Sequence, residues 1–228
     1  MLDRRSNELE IMDDLKISGP VIAQTLKELN TINRRLGGNQ ISISVYKKMI
    51  KGRSEVLLSD VGCGGGDIMK EMAKFARKMQ MNARFIGVDA NPHIIEYAKG
   101  NTAEFPEITY QPINIFSEEF RSQQVDIIHC CLFLHHFSSE ELVELFGQFK
   151  RQARLGVIVN DLHRHPIAYW SIKALTTLFS RSEMVRNDAA ISVARGFKKK
   201  ELVKMLANAG IVNYSLKWKW AFRWELIF

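Results

Sequence analysis

The densest chemistry in the sequence lies in the run Ser59-Asp60-Val61-Gly62-Cys63-Gly64-Gly65-Gly66-Asp67. Glycines there let the backbone approach a ligand closely, and a helix opening directly after them offers unpaired N–H groups to an anion. The spacing limits which ligand. A dinucleotide turn needs G-x-G-x-x-G, and here the position of the last glycine is Asp67, which would repel a pyrophosphate. The acid just before the turn, Asp60, points the same way, toward a cationic partner. A second acid, Asp89, closes the apolar run Phe85-Ile86-Gly87-Val88-Asp89-Ala90-Asn91. An acid at the tip of a second strand is placed to accept both ribose hydroxyls of an adenosine. Asp89 could instead cap a helix beginning at Pro92, but Asn91 already fills that position well.

A nucleoside carrying an ammonium and a sulfonium in place of phosphates, S-adenosylmethionine (SAM), suits this pair of acids. Proton chemistry is offered by two further groups, His135 and His136 in Leu134-His135-His136-Phe137, and Asp161, His163 and His165 in Asn160-Asp161-Leu162-His163-Arg164-His165-Pro166. Imidazoles suit removal of a proton from a hydroxyl. All five are expected at one crevice, because each group follows a strand and ligands sit beyond the carboxyl ends of such strands. Plainer roles compete: His136 packing under its loop, Asp161 capping a helix at Pro166. Arg164 is expected against an acidic acceptor or solvent, and His93 and His129 are read as structural. Cys63, Cys130 and Cys131 form no CxxC pair and no metal-ligand spacing, so they read as reduced thiols of a cytoplasmic protein, with no metal.

The elements that position these residues follow from periodicity. Ile22, Leu26, Leu29, Ile32 and Leu36 share one helical face between Pro20 and Gly37-Gly38, and a short helix is predicted around 44–51. Short apolar runs then alternate with amphipathic segments, the pattern of βαβ units. Strands are predicted at 55–60, 83–89, 108–111, 125–130 and 156–161. Asp67 to Met79 reads as a helix with Ile68, Met72, Phe75 and Met79 on one face, and Ser138 with Glu141 as a capping box. A long helix over 166–179, an irregular stretch, a helix ending at Gly210, and an antiparallel pair at 212–218 and 222–227 complete the chain. Residues 1–52 are expected to form an N-terminal helical extension or lid, and 53–228 the main domain.

The glycine turn, Asp89, Asn114-Ile115 after the third strand and Asp126 to Phe137 together resemble the successive motifs of class I SAM-dependent methyltransferases. The resemblance covers roughly residues 55 to 228. It implies a Rossmann-like α/β fold with a seven-stranded, mostly parallel sheet whose last strand is antiparallel. It also implies cofactor contacts from Asp60, Gly62, Cys63, Gly64, Gly66, Asp89, Ala90 and Asn91, adenine contacts from Asn114 and Ile115, and a methionine pocket lined by Cys130 to Leu132, Cys131 among them. Asn114 departs from the family, where Asp is commoner. Leu134 to Phe137 is similar to the small-molecule branch that includes quinone-biosynthesis enzymes. The segments Asn160 to Pro166 and Ser192 to Phe197 and the Trp-rich end are similar to bacterial enzymes of polyketide-type pathways. The implied activity is methyl transfer to a hydroxyl of an aromatic or polyketide-like molecule.

Composition narrows the alternatives. The net charge of +7, from 32 basic and 25 acidic residues, is spread along the chain, with one run at Lys198 to Lys200 that reads as a solvated face. Nucleic acid is therefore an unlikely partner, though RNA methylation stays a rival. A non-catalytic SAM-binding protein is another, and an NAD-dependent oxidoreductase is disfavoured by the glycine spacing. Met1 to Leu15 is too charged for a signal peptide. The apolar segment 167–179 is shorter than the about 20 residues a bilayer requires, so it is a core or membrane-surface helix. Tyr169, Trp170 and Phe179 within it suggest an apolar cover for the acceptor.

Overall fold

Seven strands alternate with helices along most of the chain, and the computed structural model describes residues 2–228. The strands are β1 (Glu55–Val61), β2 (Asn82–Val88), β3 (Ile108–Gln111), β4 (Val125–Cys131), β5 (Ala153–Leu162), β6 (Ser215–Lys219) and β7 (Arg223–Ile227). They lie in the order β3-β2-β1-β4-β5-β7-β6. The first five are parallel, and β7 runs antiparallel to both its neighbours. The order reverses between β1 and β4, so the connections leaving those strands diverge and open a crevice beyond their carboxyl ends.

The helices are α1 (Pro20–Arg35), α2 (Gly38–Met49), α3 (Asp67–Lys78), α4 (Pro92–Asn101), α5 (Glu118–Arg121), α6 (Ser139–Gln152), α7 (Pro166–Phe179), α8 (Glu183–Arg195) and α9 (Lys199–Asn208). Side chains alternate across each strand, so a sheet covered on both faces builds two cores. One joins Tyr46 of α2 and Met69 and Met72 of α3 to Leu58, Phe85 and Ile158. The other joins Phe146 and Phe149 of α6 and Leu202 and Leu206 of α9 to Ile128, Val157 and Leu226. Among the described residues no helix is long and apolar enough to cross a membrane.

Local sequence sets several boundaries as expected. The Asn91 side chain accepts from the His93 N–H at 2.9 Å, with Pro92 in the first turn of α4. Ser138 and Glu141 close a reciprocal capping box on α6, at 3.2 and 2.8 Å. Three expectations change. The buried face of α3 is Met69, Met72, Ala73 and Ala76, while Met79 is 58% exposed. The two alanines let the helix approach the sheet closely, which a face of long side chains would prevent. The stretch expected to be irregular contains α8, whose first turn is capped by the Ser182 hydroxyl accepting from Val185 N. And α2 begins at Gly38, directly after a left-handed Gly37, instead of near Ser44.

Phe146 is fully buried at the centre of the α6 core. Its replacement, Phe146→Ala, is expected to lower stability by about 3–5 kcal/mol, seen as a lower urea midpoint at unchanged slope.

Candidate functional site

A cavity of about 580 Å³ opens at the carboxyl ends of β1, β2 and β4. Its floor is the glycine turn. Gly62 and Gly66 have φ of 69° and 74°, the left-handed region. A Cβ at Gly62 would overlap the Phe133 ring, and one at Gly66 would overlap the Tyr110 hydroxyl. Both the conformation and the space therefore demand glycine. Gly62, Cys63, Gly64 and Gly65 face the cavity, whereas Gly66 is the N-cap of α3 and does not line it.

Asp60 lies buried at the end of β1 and also borders the cavity. His129 Nδ1 stands 2.6 Å from its carboxylate, and the other ring nitrogen reaches the Ser42 hydroxyl at 2.8 Å. His129 thus ties β4, β1 and α2 together beneath the turn. Asp89 accepts from the Asn91 N–H at 2.9 Å, and burial raises its carboxyl to about 6. Ala90, Asn91, Asn114, Ile115 and Cys131 all line the same space. Asn114 spends one oxygen on its own loop, accepting from Phe116 N at 2.9 Å.

The cavity's other wall is electrostatic. Asp161, expected to face the crevice, is buried at the end of β5 and does not itself line the cavity; it accepts from the backbone N–H groups of Leu134 and Leu162 at 2.8 and 2.7 Å. It also meets His135 Nδ1 at 2.7 Å. The other nitrogen of His135 faces Glu10 Oε1 at 3.5 Å. Burial alone would lower the His135 value, but the two carboxylates outweigh it and raise it to about 9. Asp161 is held below the usual carboxylate range, because His135 outweighs its own burial. His135 thus favours its charged form, hydrogen-bonded to Asp161 and facing Glu10 at 3.5 Å without a bond to it.

His136 is different. It is half-buried, lines the cavity, and meets Asp13 Oδ1 through Nδ1 at 2.6 Å. No described residue bonds its Nε2. Asp13 also accepts from Arg195 Nη1 at 2.6 Å, and His136 with Arg195 outweighs burial to keep it well below the ordinary range. Arg5 and Arg195 donate to the carbonyls of residues 135 to 137, which fixes the loop. The donor atoms of Glu10, His135 and His136 lie close enough to surround a cation. Arg195 stands 3.7 Å from Glu10, though, so a metal there would face a guanidinium as well as the imidazolium.

His163 and His165, expected at this mouth, stand outside it. Pairing with β7 continues past β5 through His163 N to Phe222 O at 2.8 Å, which carries the chain toward the β6–β7 hairpin. His163 accepts from Trp218 Nε1 at 3.2 Å, and His165 stacks on Phe222 with ring centroids 4.9 Å apart. Arg164 faces neither acceptor nor solvent. It is fully buried, donating to Glu201 and to the Leu2 and Gly196 carbonyls. Conversely, Glu10, Asp13, Arg195 and Arg223 border the cavity and were not singled out as site residues. The first two sit in the charged N-terminal stretch, whose only visible signal was an acid spacing of three.

Fold and site support an enzyme of SAM-dependent methyl transfer with SAM as its cofactor, and they are similar to those of the class I SAM-dependent methyltransferases. Residues 58–156 match the family model described as a methyltransferase domain. The ubiquinone biosynthesis O-methyltransferase of Nitrosomonas europaea is 26% identical over 185 residues, 77% of this chain and 72% of that protein. The structure of the plantazolicin methyltransferase BpumL with SAH (S-adenosylhomocysteine) aligns with a TM-score of 0.62 at 18% identity, over 87% of this chain and 79% of that one. The magnesium protoporphyrin IX methyltransferase of Synechocystis with SAH aligns at 0.56 and 17% identity, over 83% and 81%.

His135 makes stability depend on pH. Its folded value exceeds the unfolded one near 6.5, so the stabilisation is complete below about 6.5 and lost as pH rises through about 9. Chemical denaturation across that window should show stability falling at up to about 1.4 kcal/mol per pH unit. In His135→Gln the slope should flatten; an unchanged slope would assign the loss to another group.

Proposed function

We propose that this enzyme methylates a hydroxyl of an apolar, ring-bearing small molecule, with His136 as the general base and Asp13 as its orienting acid. The observation that carries this reading is the Asp13–His136 pair on the wall of a cavity whose lining also includes aliphatic side chains such as Leu9, Met12, Leu15, Met184 and Val193. Such a wall suits an aromatic or polyketide-like acceptor and excludes water from the reacting oxygen. The Nitrosomonas relative is named an O-methyltransferase of ubiquinone biosynthesis, which agrees with a phenolic acceptor. The aliphatic wall comes largely from the N-terminal segment, α1 and α8, so residues 1–52 serve as the lid over the domain that follows.

SAM fits the residues present. The glycine turn leaves room for its methionine portion, Asp60 and Asp89 supply the negative groups that an ammonium and two ribose hydroxyls require, and Asn114 with Ile115 borders the adenine end. Bound there, SAM supplies an electrophilic methyl group. The chain's own task is to align the acceptor oxygen and accept its proton. His136 Nε2 would take that proton as the acceptor oxygen receives the methyl group that bound SAM would supply. The ionised Asp13 stabilises the resulting imidazolium, and Arg195 keeps Asp13 charged. His135 and Asp161 hold the loop that presents His136. His163 and His165 take no part.

Incubation with deuteromethyl SAM and a panel of phenols, quinols and hydroxylated polyketides should give a product heavier by three deuteriums. His136→Gln should lower kcat by about 100-fold or more while SAH affinity holds within about twofold. Retained turnover in that variant would remove His136 from the mechanism, and product on RNA alone would replace the acceptor class.

Asp89 gives an independent check, since its ionised form accepts from both ribose hydroxyls, whereas protonation turns one oxygen into a donor. SAH affinity should weaken as pH falls below about 6 and level off above it. Asp89→Asn should bind more weakly at every pH and lose that dependence, as read by calorimetry.

A further inference from the structure

Arg223 is a buried guanidinium without an acid. It is 4% exposed, and among the described residues no carboxylate oxygen lies within salt-bridge distance of it, whereas buried Arg164 and Arg195 both have one. Nη2 donates to Asn33 Oδ1 at 2.7 Å. Nη1 is buried and bonds to nothing. A buried charge left unpaired costs several kcal/mol, and an orphaned N–H adds to that, so the arrangement is incomplete as it stands.

Its placement is built in. Residues alternate across β7, so Trp224 and Leu226 enter the α6 core, while Arg223 turns to the opposite face, beside α2. There Gly38 makes room: a Cβ on it would come within 3.3 Å of Arg223 Nη2. The turn before β7 holds Ala221 and Phe222 at φ of 60° and 54°, a conformation L side chains rarely adopt. Arg223 borders the cavity together with Asn33, Asn39, Cys131 and the glycine turn.

We infer that Arg223, seated by Asn33, receives the α-carboxylate of SAM's amino-acid portion. The inference rests on the proposed placement of SAM along the glycine turn and names a residue for the one anionic group of that ligand. The acids already present, Asp60 and Asp89, answer its ammonium and its ribose. Of the two guanidiniums among the described cavity-lining residues, Arg195 is already paired with Asp13, and a guanidinium with an unpaired N–H, as Arg223 has, makes a short charge-assisted bond to a carboxylate. Arg223 is thus a binding residue of the last strand, lining the same cavity as the Asp13–His136 pair. An acceptor bearing a carboxylate would satisfy the same guanidinium, and the test separates the two.

Calorimetry with two nucleosides decides: SAH, which carries the amino acid, and 5′-methylthioadenosine, which lacks it. Arg223→Met should weaken SAH by about tenfold to a hundredfold and leave 5′-methylthioadenosine within about twofold. Asn33→Ala, which frees the guanidinium without removing it, should weaken SAH by a smaller factor and also spare 5′-methylthioadenosine; this variant serves if Arg223→Met does not fold. Equal weakening of both nucleosides would make Arg223 a support of the cavity wall. Unchanged SAH affinity would transfer the guanidinium to the acceptor. Either result overturns the inference while SAM binding stands. Wild-type protein that binds neither nucleoside would bring down the parent reading and this one with it.

Discussion

Asp161 enters the interior at the end of β5 and finds most of its compensation in backbone N–H groups and one imidazole. A carboxylate so placed is tolerable only while those donors stay where they are. The constraint runs both ways. Because Asp161 must be satisfied, the loop after β4 is drawn across the top of the sheet, and His135 is held protonated against it. Glu10 then has a cation to face, and the N-terminal segment closes over the crevice. Removing the Asp161 charge would leave His135 and Glu10 without a reason to meet.

The division of labour between adjacent histidines follows from that arrangement. The two rings lie side by side, with centroids 4.4 Å apart, and both reach the cavity lining, but His135 is almost wholly buried while His136 is only partly so. His135 is enclosed between two acids and cannot release its proton near neutral pH. His136 is bonded to Asp13, whose charge is shared with Arg195, and has Glu10 farther off at 4.0 Å. Two histidines of identical chemistry thus take different places: His135 is hydrogen-bonded to Asp161 in the interior, and His136, bonded to Asp13, keeps Nε2 free of described partners.

Charge is distributed through the cavity in the same manner. Acids line the portion proposed for the cationic nucleoside, and the guanidiniums of Arg195 and Arg223 stand at separate places on the wall. Arg195 is answered by Asp13, while among the described residues no acid lies within salt-bridge distance of Arg223. In the proposed complex, ligand and protein each supply what the other lacks, and aliphatic side chains from α1 and α8 keep water from screening the result.

The glycine turn, the acids ending β1 and β2, the parallel strand pattern and the antiparallel last strand were legible in the sequence, because each depends on residues close together in the chain. Glycine spacing reports local backbone conformation, and alternation or helical periodicity reports which face is buried. The face of α3 was misread for a reason sequence cannot supply: how near the helix lies to the sheet decides whether long side chains or alanines turn inward. His163 and His165 were misplaced because the continued pairing beyond β5 depends on a strand formed some sixty residues later. Glu10, Asp13 and Arg223 were invisible as site residues because each meets partners more than a hundred residues away. Only the tertiary structure, by folding a charged N-terminus and a final strand onto one crevice, decided which acids and which arginine face the reacting groups.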